Sequence, residues 1–174
     1  MNNFNLLVST SRFNETNAKA ELWFTLLICG DKYPVISGIK YPGLITAATS
    51  ISSKDVIRKM KKILETNPTF FQFILKIIPI DYVCDTKVKV IKEIVELYHD
   101  HHMNETHSFK IELNRRKSKD IERDTLIESV AKSLNNNVNL DNPDIILRIE
   151  LLGNICGISF LKPNEIITVS NKNN

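Results

Sequence analysis

Residues Phe109–Leu161 read FKIELNRRKSKDIERDTLIESVAKSLNNNVNLDNPDIILRIELLGNICGISFL, and the order of elements within them decides the fold. Phe109, Ile111 and Leu113 alternate with Lys110, Glu112 and Asn114, the period of a strand with one buried face. Leu126, Ile127, Val130, Ala131 and Leu134 then recur at helical spacing until Asn135–Asn137 end the stripe. Two apolar runs, Ile145–Leu152 and Ile155–Leu161, are joined by Gly153-Asn154, a pair suited to a tight hairpin, and Pro143 stands just before the first. Gly157, inside the second run, predicts a bulge or a close backbone approach. Between strand and helix lies NRRKSKDIERD (Asn114–Asp124). Arg115, Arg116, Lys117, Lys119 and Arg123 therefore share one loop and helix start, where fixed cations can meet an anionic backbone. A solvated basic loop is the plain alternative.

Upstream, Phe4–Thr10 is apolar and β-prone, and Asn14 offers an N-cap for a helix through Trp23, Leu26 and Leu27 that Gly30 ends. Tyr33–Ile39 and Leu44–Ser50 are short β-prone runs separated by a turn at Tyr41-Pro42-Gly43. Ser53 can cap a second helix with the stripe Val56, Ile57, Met60, Ile63 and Leu64, around which stand Arg58, Lys59, Lys61 and Lys62. Asn67-Pro68 stops it, and Phe70–Ile78 reads as a strand ended by Pro79. This order, βαββαβ, is the ferredoxin-like arrangement, with two helices on one face of a four-stranded antiparallel sheet. Ile80–Thr86 reads as a connection to a helix carrying Val90, Ile91, Ile94, Val95 and Tyr98, which the polar run HDHHMNETH (His99–His107) ends.

The chain has 174 residues, 43% of them hydrophobic, enough for one core or two small ones. Its net charge of +3 is too mild to establish nucleic-acid binding by composition. Distribution is more informative. Residues 1–80 carry 10 Lys+Arg against 5 Asp+Glu, while residues 81–174 carry 13 against 15, so the basic loop is a local feature of a slightly acidic half. The three cysteines, Cys29, Cys84 and Cys156, are scattered and form no CxxC pair, which argues against a disulfide framework or zinc ribbon and for the reducing cytoplasm. Cys29 and Cys156 read as small core residues. No apolar run approaches the roughly 18 residues needed to span a bilayer, and Met1–Ser11 lacks the pattern of a signal peptide.

Four segments together resemble the THUMP domain, an RNA-binding module of tRNA thiouridine synthases, RNA methyltransferases and pseudouridine synthases. They are FKIELNRR at Phe109–Arg116, RDTLI at Arg123–Ile127, VNLDNPD at Val138–Asp144 and GNICGIS at Gly153–Ser159. The resemblance implies an α+β chain in which an N-terminal ferredoxin-like βαββαβ domain (residues 1–81) precedes an α/β THUMP domain (82–170), with a disordered tail at 171–174. A small residue is expected where Phe13 stands after LLVSTSR. Within the family the chain is most similar to stand-alone THUMP proteins that assist an RNA cytidine acetyltransferase in forming N4-acetylcytidine in the tRNA D-arm. The implied partners are tRNA and that acetyltransferase, with neither DNA nor a membrane. The implied role is that of a non-catalytic adaptor gripping the single-stranded 3′ acceptor end.

Arg115 and Arg116 suit phosphate contacts because the guanidinium fork donates two parallel hydrogen bonds. Consecutive strand residues face opposite ways, so both reach one ligand only if the strand ends near Asn114. Arg123 in a helix's first turn opposes the macrodipole, at about 0.3–1 kcal/mol, unless an anion docks there. Lys110, Asn142, Gly153, Asn154 and Lys162 are further RNA-contact candidates, and Arg12, Arg58 and Lys62 could extend the surface or be ordinary solvated cations. Phe109 and Phe160 lie at core-phase strand positions and read as structural, not as stacking platforms. His99, His101, His102 and His107 lack helical i, i+4 spacing, so no metal is expected. No GxGxxG, GxxxxGK[ST] or nucleophile motif is present, so no cofactor and no catalysis are expected. The alternatives are an RNA-binding subunit for tRNA thiolation or methylation, a structural subunit that never touches RNA, and a metal-dependent enzyme built on the histidine loop.

Overall fold

The computed structural model describes residues 3–116 and 121–169. They form two units, one running through Ile80 and resuming at Asn164, the other Asp81–Pro163.

In the first unit β1 (Leu6–Thr10), α1 (Glu15–Ile28), β2 (Val35–Gly38), β3 (Leu44–Ala48), α2 (Ser53–Thr66) and β4 (Ile74–Pro79) follow in the expected order. The sheet order β2-β3-β1-β4, antiparallel throughout, is that of a ferredoxin-like fold. Its core joins Leu6, Val8, Ile45, Ala47 and Ile77 of the sheet to Leu22 and Leu26 of α1 and Val56, Ile57 and Met60 of α2. Gly30 ends α1 at φ 94° in a Schellman motif, its N–H donating to Leu27 O and that of Asp31 to Leu26 O. The cap of α2 is Ser52, one residue before the expected Ser53. At the Tyr41-Pro42-Gly43 turn a side chain is excluded, because a Cβ on Gly43 (φ 77°) would stand 2.8 Å from Thr10 O. The expected strand from Phe70 begins only at Ile74. The Glu21 carboxylate accepts the N–H groups of Gln72, Phe73 and Ile74, and this holds the preceding residues out of the ladder.

The second unit contains β5 (Tyr82–Asp85), α3 (Val88–Tyr98), β6 (Phe109–Arg116), α4 (Arg123–Ala131), β7 (Ile145–Leu152) and β8 (Ile155–Leu161). The sheet order is β5-β8-β7-β6, with β6 and β7 parallel and the other pairs antiparallel. Phe109, Leu147, Ile149, Ile158 and Phe160 meet Ile91 and Val95 of α3 and Leu126 and Val130 of α4 in a second core. Cys29 and Cys156 are buried, as small core residues should be.

Three further expectations change. Ile80–Thr86 is not a plain connection, since β5 pairs with β8 along Tyr82–Asp85. Gly157 makes no bulge, because its pairings with Glu150 and Val83 are in register. The second domain does not run to residue 170, because β9 (Ile167–Thr168) pairs with β4 and buries Ile167 in the first core. The tail expected at 171–174 lies outside the described residues.

Candidate nucleic-acid interface

β5, β6 and β7 point the same way, so their C-terminal ends lie at one end of the sheet. There β6 delivers Arg115 and Arg116, α4 starts at Arg123, and the turn Gly153-Asn154 joins β7 to β8. Gly153 takes φ 67°, and Asn154 O accepts the N–H of Thr86, tying the hairpin to the start of α3. This is the end of a sheet where helix N-termini and loops converge, the usual place for an anionic ligand.

The strand does not end at Asn114. Arg115 pairs with Leu151 and Arg116 with Leu152, so the two side chains face opposite sides of the sheet. Arg115 lies on the helix side, and its Nη1 donates to Ile121 O at 3.4 Å, which joins the end of β6 to the residues before α4. Arg116 is exposed on the far side. A ligand touching both must cross the sheet's end. Lys117 and Lys119 lie outside the described residues. Arg123 is exposed, but Glu122 at the N-cap and Asp124 in the first turn already complement the dipole, so its position is weaker support for a docked anion than the sequence implied.

The remaining candidates separate. Lys110, Asn142 and Lys162 stand at the opposite end of the same sheet, before or just inside β6 and β7 and just after β8, roughly 20 Å from Arg116 at about 3.3 Å per strand residue. Lys110 is also engaged, its Nζ 3.1 Å from Glu112 Oε1. Arg12, Arg58 and Lys62 are exposed in the first unit, Arg58 in an ion pair with Asp55. Sequence reasoning missed Lys87 and Lys89, which open α3 at the arginine end with no acid in its first turn. Reading Tyr82–Asp85 as a strand would have exposed that second basic helix start.

A charged cluster on the sheet face away from the helices was also missed. Arg148 donates to Glu150 through Nε and to Glu112 through Nη1, each at 2.7 Å, and both Arg148 and Glu150 have side chains only 8% exposed. Phe109 and Phe160 are each 1% exposed and belong to the core, as expected. His102 stacks on Phe160 at 4.6 Å between centroids, and its Nε2 lies 2.9 Å from Tyr82 Oη, so this histidine packs the core edge. Among the described residues no group of His, Cys, Asp or Glu could hold a metal ion, and no helix is long and apolar enough to cross a membrane.

The sequence model of the THUMP domain matches residues 86–161. Those residues match the THUMP domain. The parallel β6–α4–β7 unit and its hairpin, which carry Arg115, Arg116, Arg123, Gly153 and Asn154, fall inside it. Among solved structures the chain is similar to PH1313 from Pyrococcus horikoshii Ot3 at 17% identity and TM-score 0.69, covering 92% of this chain and 55% of that one. TrmN from Thermus thermophilus follows at 10% identity and TM-score 0.56, covering 91% and 46%. A 4-thiouridine synthetase in complex with RNA and ATP is similar at 11% identity and TM-score 0.51, covering 95% and 42%. At such identities the likeness is one of fold. The chain spans about half the length of these proteins. No curated protein matches it in sequence.

Proposed function

We propose that this chain binds tRNA in the cytoplasm through the arginine end of its THUMP domain, as a non-catalytic adaptor. In this reading it presents the tRNA, held by its 3′ acceptor end, to an RNA cytidine acetyltransferase for N4-acetylcytidine formation in the D-arm. The observation that carries RNA binding is the convergence of Arg115, Arg116, Arg123 and the Gly153-Asn154 turn at one end of the sheet. Cations placed there neutralise phosphates without reading sequence, so affinity should fall steeply with salt. The test is a titration of whole tRNA across a salt series, repeated with tRNA trimmed at its 3′ end and with Arg116→Ala. Weaker binding in both arms supports the site, and indifference to both would overturn it.

The adaptor role is tested separately. Cytidine acetylation of tRNA by the candidate acetyltransferase should rise on adding this chain, and an unchanged rate would remove that role. The second reading, an RNA-binding subunit for thiolation or methylation, is favoured by the likeness to the 4-thiouridine synthetase and TrmN. Stimulation of a thiolation or methylation reaction, with no effect on acetylation, would decide for it.

A further inference from the structure

Helix α1 carries two apolar stripes. Ala18, Leu22, Thr25 and Leu26 face the core, while Ala20, Trp23, Phe24, Leu27 and Ile28 recur at i, i+3, i+4, i+7 and i+8 on another side. On that second stripe Trp23 is 50% exposed, Phe24 56% and Ile28 50%. An isolated exposed leucine means little, but a stripe of large side chains at helical spacing marks a surface built to be covered.

The charges around it state what covers it. The three acids of residues 3–54 are all turned to backbone amides: Glu15 accepts Gly43 N–H, Glu21 the amides of residues 72–74, and Asp31 those of Tyr33 and Ser50. Lys19 lies against Gly38 of β2, and Lys32 is exposed just past the end of α1. Among the described residues neither lysine makes an ion pair. The stripe is thus apolar at its centre and basic at its rim. A second copy would bring cation to cation. A nucleic acid would leave the aliphatic Leu27 and Ile28 with nothing to stack on.

We infer that the outer stripe of α1 forms a docking site for an amphipathic helix of a partner protein, with Asp or Glu flanking its apolar stripe. This surface lies in the first unit and stands or falls apart from the RNA reading.

Trp23 is the chain's single tryptophan and sits in the stripe, so its fluorescence reports occupancy directly. The full chain is titrated with a synthetic helical peptide bearing a leucine stripe flanked by glutamates, and with the same peptide carrying lysines instead. The acidic peptide should shift Trp23 emission to the blue saturably, the basic one should bind at least tenfold more weakly, and Phe24→Ser or Lys32→Glu should each weaken the acidic peptide about tenfold. Both positions are exposed, and unchanged thermal melts verify that the variants fold. Phe24→Ser should leave tRNA affinity unchanged. No shift with the acidic peptide, equal shifts with both peptides, or a shift produced by single-stranded RNA, by anionic lipid vesicles or by raising protein concentration alone would each overturn the proposal.

Discussion

Phe13 holds its backbone at φ 71° with its ring 94% exposed, so the strain of a left-handed bulky residue is offset by no packing. Asn tolerates that conformation at little cost, and Phe13→Asn should raise stability by about 1 kcal/mol, read as a higher urea midpoint. Asp144, of the Asn-Pro-Asp motif, is a different case. Its carboxylate accepts the N–H and hydroxyl of Ser108, each at 2.8 Å, clamping the start of β7 to the start of β6. The Ser108 N–H first, then its hydroxyl, hold this carboxyl below its ordinary 3.8. A folded-state pKa below the unfolded one gives stability that is present above the unfolded value and lost as pH falls through the folded one. Asp144→Asn should therefore lower Tm at pH 7, and the gap to the parent should close below about pH 4. At the sheet's end, Arg116→Ala should weaken tRNA binding with Tm unchanged. Arg115→Ala should weaken tRNA binding and also lower Tm, because it removes the bond to Ile121 O. Charge and spacing made both arginines visible in the sequence, but only the strand's extension to Arg116 divides their roles.

The sheet of the second unit depends on its ion cluster. Arg148 lies opposite Glu112 in the β6–β7 register and next to Glu150 on the same face of β7, with Ser159 opposite on β8. Truncating the arginine would leave Glu150 buried and uncompensated, so Arg148→Ala should cost about 3–5 kcal/mol by chemical denaturation. The double variant Arg148→Met/Glu150→Leu should recover most of that loss. Neither residue stood out in the sequence, since ILRIELL reads as an ordinary apolar strand and its charges acquire a role only through cross-strand pairing. Two elements escaped notice for a related reason. β5 and β9 are edge strands of four and two residues, too short for periodicity to register. Helix α1 was legible as a helix, but with apolar residues all round it, the sequence did not say which stripe faces the core.

Across the whole chain, β9 decides where the units divide. Because Ile167 pairs with Ile77 and is 2% exposed, truncation after Pro163 should speed amide exchange in β4 and leave β6–β8 protected, measured by hydrogen exchange mass spectrometry. Equal loss of protection in both sheets would contradict that division. Turn residues, helix stripes and strand alternation are local chemistry, and they were enough to establish the βαββαβ order of the first unit and the strand, helix and hairpin of the segment that matches the THUMP domain. Pairing and burial join residues far apart in the chain. For that reason only the tertiary structure could place Arg115, Arg116 and Arg123 at one end of the sheet and Lys110, Asn142 and Lys162 at the other, return β9 to the first unit, and leave one apolar stripe of α1 facing solvent.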